Sequence, residues 1–167
     1  MQPADAFGKH ALGVEFGVGL LGEAWNLNER REWLADGSLA IWWAFANGAR
    51  LVIEFHAMRV FQRPSRAAFV NGLTPVLRWR LRHEEPWSVF VEFGAGISWS
   101  DTRVPPRGTR FNYLIQAGTG VTRRLGRQTH AVVGLRGIHI SNNSREGRDR
   151  NPDIEALGGY AGLSVVF

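Results

Sequence analysis

Residues 88–99 read Ser-Val-Phe-Val-Glu-Phe-Gly-Ala-Gly-Ile-Ser-Trp, and apolar side chains recur in this stretch at every second position. The odd-numbered positions are all apolar, whereas the even-numbered positions include Glu92, two serines and two glycines. A period of two is that of a β-strand, because successive side chains of a strand point to opposite faces. The stretch therefore predicts a strand with one apolar face and one face of mainly small or polar residues.

The same alternation recurs in seven other segments. The eight predicted strands lie at about 10–22, 37–46, 50–61, 72–82, 87–99, 111–123, 129–141 and 155–167. Short connections alternate with long ones, which are predicted at 23–36, 62–71, 100–110 and 142–154. Short turns at one end and long loops at the other are typical of an up-and-down barrel. The sequence thus predicts an all-β, eight-stranded antiparallel up-and-down barrel that forms one domain over residues 1–167, with a short N-terminal lead-in at 1–9.

The composition narrows the classes of function. The chain has 167 residues and no cysteine, which excludes disulfide scaffolds, cysteine nucleophiles and cysteine-based zinc sites. No uncharged apolar run approaches the 18 residues that a transmembrane helix needs. The formal net charge is +5, and Lys9 is the only lysine among 20 basic residues. A preference for arginine favours two-pronged recognition of phosphate or carboxylate.

Alternation alone leaves open whether the apolar face points into a soluble, lipocalin-like barrel or outward to lipid. Three features favour a transmembrane barrel. The predicted strands are long enough, when tilted, to form an apolar band about 25 Å tall. Trp87 and Trp99 lie at opposite ends of one strand, where aromatic girdles form. Glycines on the polar face leave room for larger side chains inside a narrow barrel. These glycines are Gly13, Gly17, Gly19, Gly94, Gly96, Gly118, Gly120, Gly134, Gly158 and Gly162.

Charged residues on the inner face need partners, because buried charges are costly unless they are paired. Counting back from the turn at 83–87 places Arg78 opposite Glu92. We therefore predict an interior network that fills the lumen. Its predicted members are Arg78, Arg80 and Arg136 with Glu15, Glu54 and Glu92.

The predicted long loops are rich in arginine. In an outer-membrane barrel the long loops lie outside the cell, where lipopolysaccharide carries phosphate groups. Arginine binds phosphate through short, charge-assisted hydrogen bonds. Lipopolysaccharide, and not nucleic acid, is therefore the expected anionic partner. The arginines in or beside these loops are Arg30, Arg31, Arg63, Arg66, Arg103, Arg107, Arg110, Arg145, Arg148 and Arg150.

A serine, a histidine and a carboxylate fall at one end of the last two predicted strands. His139 and Ser141 share the lipid-facing parity of the seventh strand, and Glu155 shares that of the eighth. Residues two apart on one strand face are about 7 Å apart along the backbone, so their side chains can meet. A serine nucleophile needs a base to take its proton and an acid to orient that base. Asn142 follows the serine and is a candidate donor to an oxyanion.

Three stretches resemble the PagL-type lipid A 3-O-deacylase family. They are Phe111-Asn112-Tyr113, residues 134–142 (Gly-Leu-Arg-Gly-Ile-His-Ile-Ser-Asn) and residues 151–155 (Asn-Pro-Asp-Ile-Glu). The resemblance is strongest over residues 88–167. It implies an eight-stranded outer-membrane barrel whose active site lies on the lipid-facing exterior. The implied activity is that of a carboxylic ester hydrolase, which removes the acyl chain at position 3 of lipid A.

The resemblance also implies roles for individual residues. Ser141 matches the nucleophile, His139 the base, Glu155 the orienting acid and Asn142 an oxyanion donor, and no metal or cofactor is implied. Since the stretch from Ser141 to Glu155 is slightly longer than the family pattern, two other acids are alternatives to Glu155. They are Asp149 and Asp153.

The sequence leaves alternatives open for the function and the cellular location of the protein. A non-catalytic barrel that keeps these residues by descent would act as a structural or assembly partner in the outer membrane. The chain opens Met1-Gln2-Pro3 without the basic start and apolar stretch of a signal peptide. It is therefore either cytosolic or a mature form, and the barrel pattern favours the second. Lipid A, lipopolysaccharide and outer-membrane lipids are the expected partners, and a homodimer or a larger membrane complex is left open.

Overall fold

Eight antiparallel strands close into one barrel, in which each strand pairs with its neighbours in the chain and the last strand pairs with the first. The computed structural model describes residues 5–24, 32–62, 65–147 and 151–167. The predicted fold class is confirmed. Within these residues, no helix is long or apolar enough to cross a bilayer. The strands are β1 (Leu12–Glu23), β2 (Trp33–Ala46), β3 (Ala49–Phe61), β4 (Ala68–Glu84), β5 (Trp87–Val104), β6 (Thr109–Arg124), β7 (Thr129–Ser141) and β8 (Ile154–Val166).

The apolar stripe of the strands lies on the outside of the barrel. Val18 and Leu20 are 69% and 68% exposed, whereas Arg78 on the inner face is 1% exposed. Trp87 and Trp99 are both exposed, at opposite ends of the outer face of β5. A soluble ligand-binding barrel would bury its aliphatic side chains inside, so the lipocalin-like reading is wrong. The outward orientation expected of a membrane barrel is confirmed.

Several strands extend further than the alternation predicted, at the end of the barrel where β7 finishes. We call this the loop end and the opposite end the turn end. β5 continues to Val104 and β6 begins at Thr109, so the long loop predicted at 100–110 is instead a tight turn. Ser100 remains on the inner face at 1% exposure, and its hydroxyl donates to the backbone carbonyls of Thr102 and Arg110. The prediction failed because these last pairs are held by polar bonds and not by apolar alternation.

Buried charges run through the lumen as an alternating chain. Arg78 and Glu92 are direct cross-strand partners at 2.8 Å, which confirms the predicted pairing. Arg136 bonds to both Glu92 and Glu54, at 2.9 and 3.0 Å. The amide of Gln116 also donates to Glu54. Following the ion pairs from one side chain to the next, the order is Arg50, Glu15, Arg78, Glu92, Arg136 and Glu54.

One predicted member of this network is wrong. Arg80 lies closer to the turn end, where its Nη1 is 2.8 Å from an Asp5 carboxylate oxygen. Arg50 takes the place in the network that was predicted for Arg80. Arg50 is fully buried and lies opposite Arg78 in the register of β3 and β4. Its guanidinium bonds to Glu15 at 2.8 Å. Arg50 has the inward parity of β3, so the alternation carried this signal although the prediction did not use it.

Glycines on the inner face make room for aromatic side chains. A Cβ on Gly134 would lie 2.6 Å from the Tyr160 ring, and one on Gly120 would lie 2.6 Å from the Phe90 ring. Tyr160 uses this space to donate its hydroxyl to Glu92. The narrow lumen is therefore filled by packed side chains.

The residues before β1 pack into the turn end of the barrel. Phe7 is fully buried, and its ring centroid lies 6.4 Å from that of Phe90. The guanidinium of Arg50 lies 4.7 Å from the Phe7 ring. The lead-in therefore covers the interior network at the turn end of the barrel.

Candidate active site

The antiparallel register of β7 and β8 brings the predicted catalytic side chains together. His139 and Glu155 are direct cross-strand partners near the loop end. Ser141 is the last residue of β7 and lies opposite Tyr113 of β6. Side chains that are two apart on a strand, or directly opposite across a pair, are neighbours on one face. The three candidates thus share one short stretch of the outer wall.

The two nitrogens of His139 face different partners. Its Nε2 lies 2.9 Å from the Ser141 hydroxyl oxygen, and its Nδ1 lies 3.6 Å from a Glu155 carboxylate oxygen. A carboxylate beside Nδ1 favours a proton on that nitrogen, which leaves Nε2 free to accept the serine proton. The geometry therefore suits nucleophilic attack by the Ser141 hydroxyl.

The three side chains differ in exposure. His139 and Glu155 are about equally accessible, at 33% and 35% of their side-chain surface. Ser141 has the predicted outward parity but is only 7% exposed. The candidate nucleophile is thus less exposed than the sequence analysis predicted, while the candidate base stays accessible from the membrane side.

A tight turn follows the serine. Asn142 is 3% exposed, and its backbone N–H donates to the side-chain oxygen of Asn151. The side-chain amide is the other N–H donor of Asn142, and it is the group that the role of oxyanion donor concerns. Asn143 and Ser144 both adopt left-handed backbone angles, with φ of 52° and 57°. Two such residues in succession are uncommon outside glycine and often occur at functional sites. The sequence analysis did not predict this turn.

An apolar groove of about 410 Å³ runs along the outer wall beside His139. It exists because Ala117 and Gly137 are direct partners across β6 and β7 and carry almost no side chain. A Cβ on Gly137 would meet no other atom closer than 3.8 Å, so the space above it is open. Sequence reasoning missed this groove, whose signal was two small residues at outward positions. Its lining is Ile115, Ala117, Gly137, Ile138, His139, Glu155 and Ala156.

A second, larger cavity of about 830 Å³ adjoins the site at the loop end. Asn142 belongs to its wall, together with residues from the β5–β6 hairpin and from the loop after β7. Five of the ten loop arginines are described, and all five are exposed: Arg66, Arg103, Arg107, Arg110 and Arg145. The other five lie outside the described residues: Arg30, Arg31, Arg63, Arg148 and Arg150.

The alternative orienting acids are placed differently. Asp153 offers a carboxylate oxygen within 4.8 Å of ligand atoms from both His139 and Glu155, whereas Asp149 lies outside the described residues. Imidazole and carboxylate groups are also the donors that zinc prefers. In the described part of the chain, this trio is therefore the group with the donors and spacing to hold a metal ion.

Three solved structures share this architecture. The crystal structure of Neisserial surface protein A superposes with a TM-score of 0.71 and 12% identity, over 93% of this chain and 97% of that one. The outer-membrane enzyme PagL superposes with a TM-score of 0.61 and 18% identity, over 90% and 97%. The N-terminal barrel domain of Pseudomonas aeruginosa OprF gives 0.53 and 13%, over 96% and 99%. At these identities the similarities establish the fold.

The sequence itself establishes the family. No curated protein has significant sequence similarity to this chain. The model of the lipid A 3-O-deacylase family, however, matches residues 10–164, which is nearly the whole chain. This family consists of ester hydrolases, and PagL itself is an outer-membrane enzyme. The chain therefore belongs to the lipid A 3-O-deacylase family and is an ester hydrolase of the outer membrane.

Proposed function

We propose that Ser141, His139 and Glu155 form a catalytic triad that hydrolyses the 3-O-linked acyl ester of lipid A on the outer wall of the barrel. The observation that carries this proposal is the 2.9 Å contact between His139 Nε2 and the Ser141 hydroxyl. Glu155 supports it from the neighbouring strand, 3.6 Å from the other ring nitrogen. Hydrogen bonds of a catalytic site are often longer before substrate binds, so the longer contact fits this role.

The reaction proceeds in two stages. The Ser141 oxygen attacks the ester carbonyl while its proton passes to His139 Nε2, and Glu155 stabilises the imidazolium that forms. The Asn142 amide donates to the oxyanion of the tetrahedral intermediate. The bond between the carbonyl carbon and the sugar oxygen then breaks, and that oxygen takes the proton from His139 and leaves as a hydroxyl. An acyl-serine remains. Water, deprotonated by His139, then attacks the acyl-serine and releases a free fatty acid.

The apolar groove provides a place for the departing acyl chain. It passes His139 and Glu155, and its floor is the paired Ala117 and Gly137. An acyl chain already surrounded by lipid gains little from burial, so the groove would act by holding the ester carbonyl in position. In this proposal the acyl chain lies within the membrane and the reacting carbonyl lies near the loop end.

The test is mass spectrometry of lipid A after incubation with the folded barrel in detergent. The parent protein is expected to release the 3-O-linked fatty acid, and Ser141→Ala is expected to lose about 10³-fold or more of that rate. Ser144→Ala, which changes an exposed serine of the following loop, serves as the control. Heat-dependent gel mobility reports whether each barrel is folded. Release by Ser141→Ala at near the parent rate would refute the triad, and an inactive parent would favour the non-catalytic barrel.

A further inference from the structure

The 830 Å³ cavity beside the candidate triad differs in character from the apolar groove. The groove is almost wholly apolar, whereas this cavity is lined by cations, hydroxyl groups and aromatic rings. Its volume lies in the range of small-molecule binding sites. The described residues that the argument uses are Trp99, Arg103, Arg110, Phe111, Asn142 and Arg145.

Three arginines from separate segments converge on this cavity. Arg103 comes from the end of β5, Arg110 from the start of β6 and Arg145 from the loop after β7. Among the described residues, no carboxylate forms an ion pair with any of the three guanidinium groups. Glu146 also lines the cavity, so among the lining residues that the structure describes cations outnumber carboxylates by three to one. The arrangement leaves a positively charged wall available for an anion.

Aromatic rings complete the same wall. The Trp99 and Phe111 rings lie 6.3 Å apart, and the guanidinium of Arg145 lies 5.9 Å from the Phe111 ring. The tight turn at Asn143 and Ser144 reverses the chain and thereby returns Arg145 toward β6. Flat aromatic faces beside guanidinium groups suit a sugar ring that carries a phosphate.

We propose that this cavity is the subsite for the phosphorylated sugar headgroup of the substrate, and that Arg103, Arg110 and Arg145 bind its phosphate. Asn142 belongs to the cavity and His139 to the groove, so Ser141 lies between the two. A substrate that spans both would have its sugar in the cavity, its acyl chain in the groove and its ester at the serine. The identity of the ester rests on the proposed function, but the binding of phosphate does not.

The experiment therefore measures binding separately from turnover. Phosphorylated and enzymatically dephosphorylated lipid A are titrated in mixed micelles against Ser141→Ala, which holds substrate without hydrolysing it. Arg103→Gln, Arg110→Gln and Arg145→Gln are added singly to that background. Each is expected to weaken binding of the phosphorylated lipid by about tenfold, because hydrogen bonds to charged groups are worth at least one such factor. Binding of the dephosphorylated lipid is expected to stay unchanged.

Arg107→Gln is the matched control. Arg107 lies in the same β5–β6 turn and is equally exposed, but it does not line the cavity. An effect of Arg107→Gln equal to the others would show a general charge attraction and would overturn the subsite. Equal losses for both lipids, or no loss for either, would also overturn it. The two proposals can also fail separately. If binding requires the three arginines but the parent protein releases no fatty acid, the subsite is upheld and only the proposed function is refuted.

Discussion

His139 of β7 and Glu155 of β8 lie directly opposite each other, and the pairs of residues on either side of them fix that register. The next pair, Ile140 with Ile154, is fully buried in the lumen. A slip of β7 by one residue would move Ile140 to the outside and His139 to the inside. The packing of the interior thus decides which acid can reach the histidine on the exterior.

The first prediction separates the two described candidates for the orienting acid. Glu155→Ala is expected to lower kcat about 10²-fold or more with little change in KM, because the imidazole loses the partner that fixes its tautomer. Asp153→Ala is expected to lower kcat by less than tenfold. Steady-state rates of fatty acid release measure both effects. A larger loss in Asp153→Ala than in Glu155→Ala would transfer the orienting role to Asp153.

The second prediction concerns the apolar groove beside His139. Gly137→Leu is expected to fill it, because a Cβ there would come no closer than 3.8 Å to the backbone oxygens beside it. Hydrolysis of long-chain esters should then fall by about tenfold or more, since a displaced chain shifts the carbonyl away from Ser141. Hydrolysis of an acetyl ester should remain near the parent rate.

Gly37→Leu is the control for this change. Gly37 also faces outward with open space above it, but it lies on β2, away from the groove. Its substitution should alter neither substrate. Equal losses on acetyl and long-chain esters in Gly137→Leu would mean that the substitution disturbs the triad and that the groove does not select the chain.

The third prediction tests the interior network. Glu92→Ala removes the carboxylate shared by Arg78 and Arg136. Removing one member of a buried ion pair costs about 3–5 kcal/mol, because the remaining charge stays buried without its partner. Glu84→Ala is the control, since its pair with Arg82 is exposed and such pairs contribute little. The loss of the folded gel form on heating, measured for each variant, should occur at a lower temperature for Glu92→Ala alone.

The fold was predictable because its strongest determinant is a local pattern. Alternation located every strand, and it placed Arg78 opposite Glu92 through the short turn between β4 and β5. The strand lengths, the two tryptophans of β5 and the inward glycines then indicated that the apolar face is the outer one. The catalytic candidates followed from the same parity, since His139, Ser141 and Glu155 all continue the outward face of their strands.

Features that depend on distant segments were not predictable in this way. The extension of β5 to Val104 rests on bonds from Ser100 to carbonyls that alternation does not report. The partner of Arg80 is Asp5, which precedes the first strand and reaches it only when the lead-in packs into the barrel. The groove likewise arises between strands, from small residues that belong to no motif. The sequence analysis identified the arginines of the second cavity, but not that three of them meet at one site.

The last prediction concerns how the lead-in is held at the turn end. Partial burial acts to raise the pKa of the Asp5 carboxyl, but the Phe7 N–H and the Arg80 guanidinium outweigh it and hold the pKa below its ordinary value. A carboxyl whose pKa is lowered by folding stabilises the folded state above its ordinary pKa. That stabilisation declines as the pH falls through the lowered pKa. Docking of the lead-in should therefore be firm above about pH 5 and weaken below about pH 4.

Amide hydrogen exchange of residues 6–11, expressed as protection factors, measures this docking. The parent protein should show greater protection than Asp5→Asn at neutral pH. The difference should narrow as the pH falls below about 4 and through the lowered pKa, where the Asp5 carboxyl becomes protonated. Asp101→Asn is the control, because Asp101 accepts its hydrogen bond from Phe69 at the loop end, far from the lead-in. A difference that stays constant from neutral pH to pH 3 would show that the shape of the side chain, and not its charge, holds Phe7 beneath the interior network.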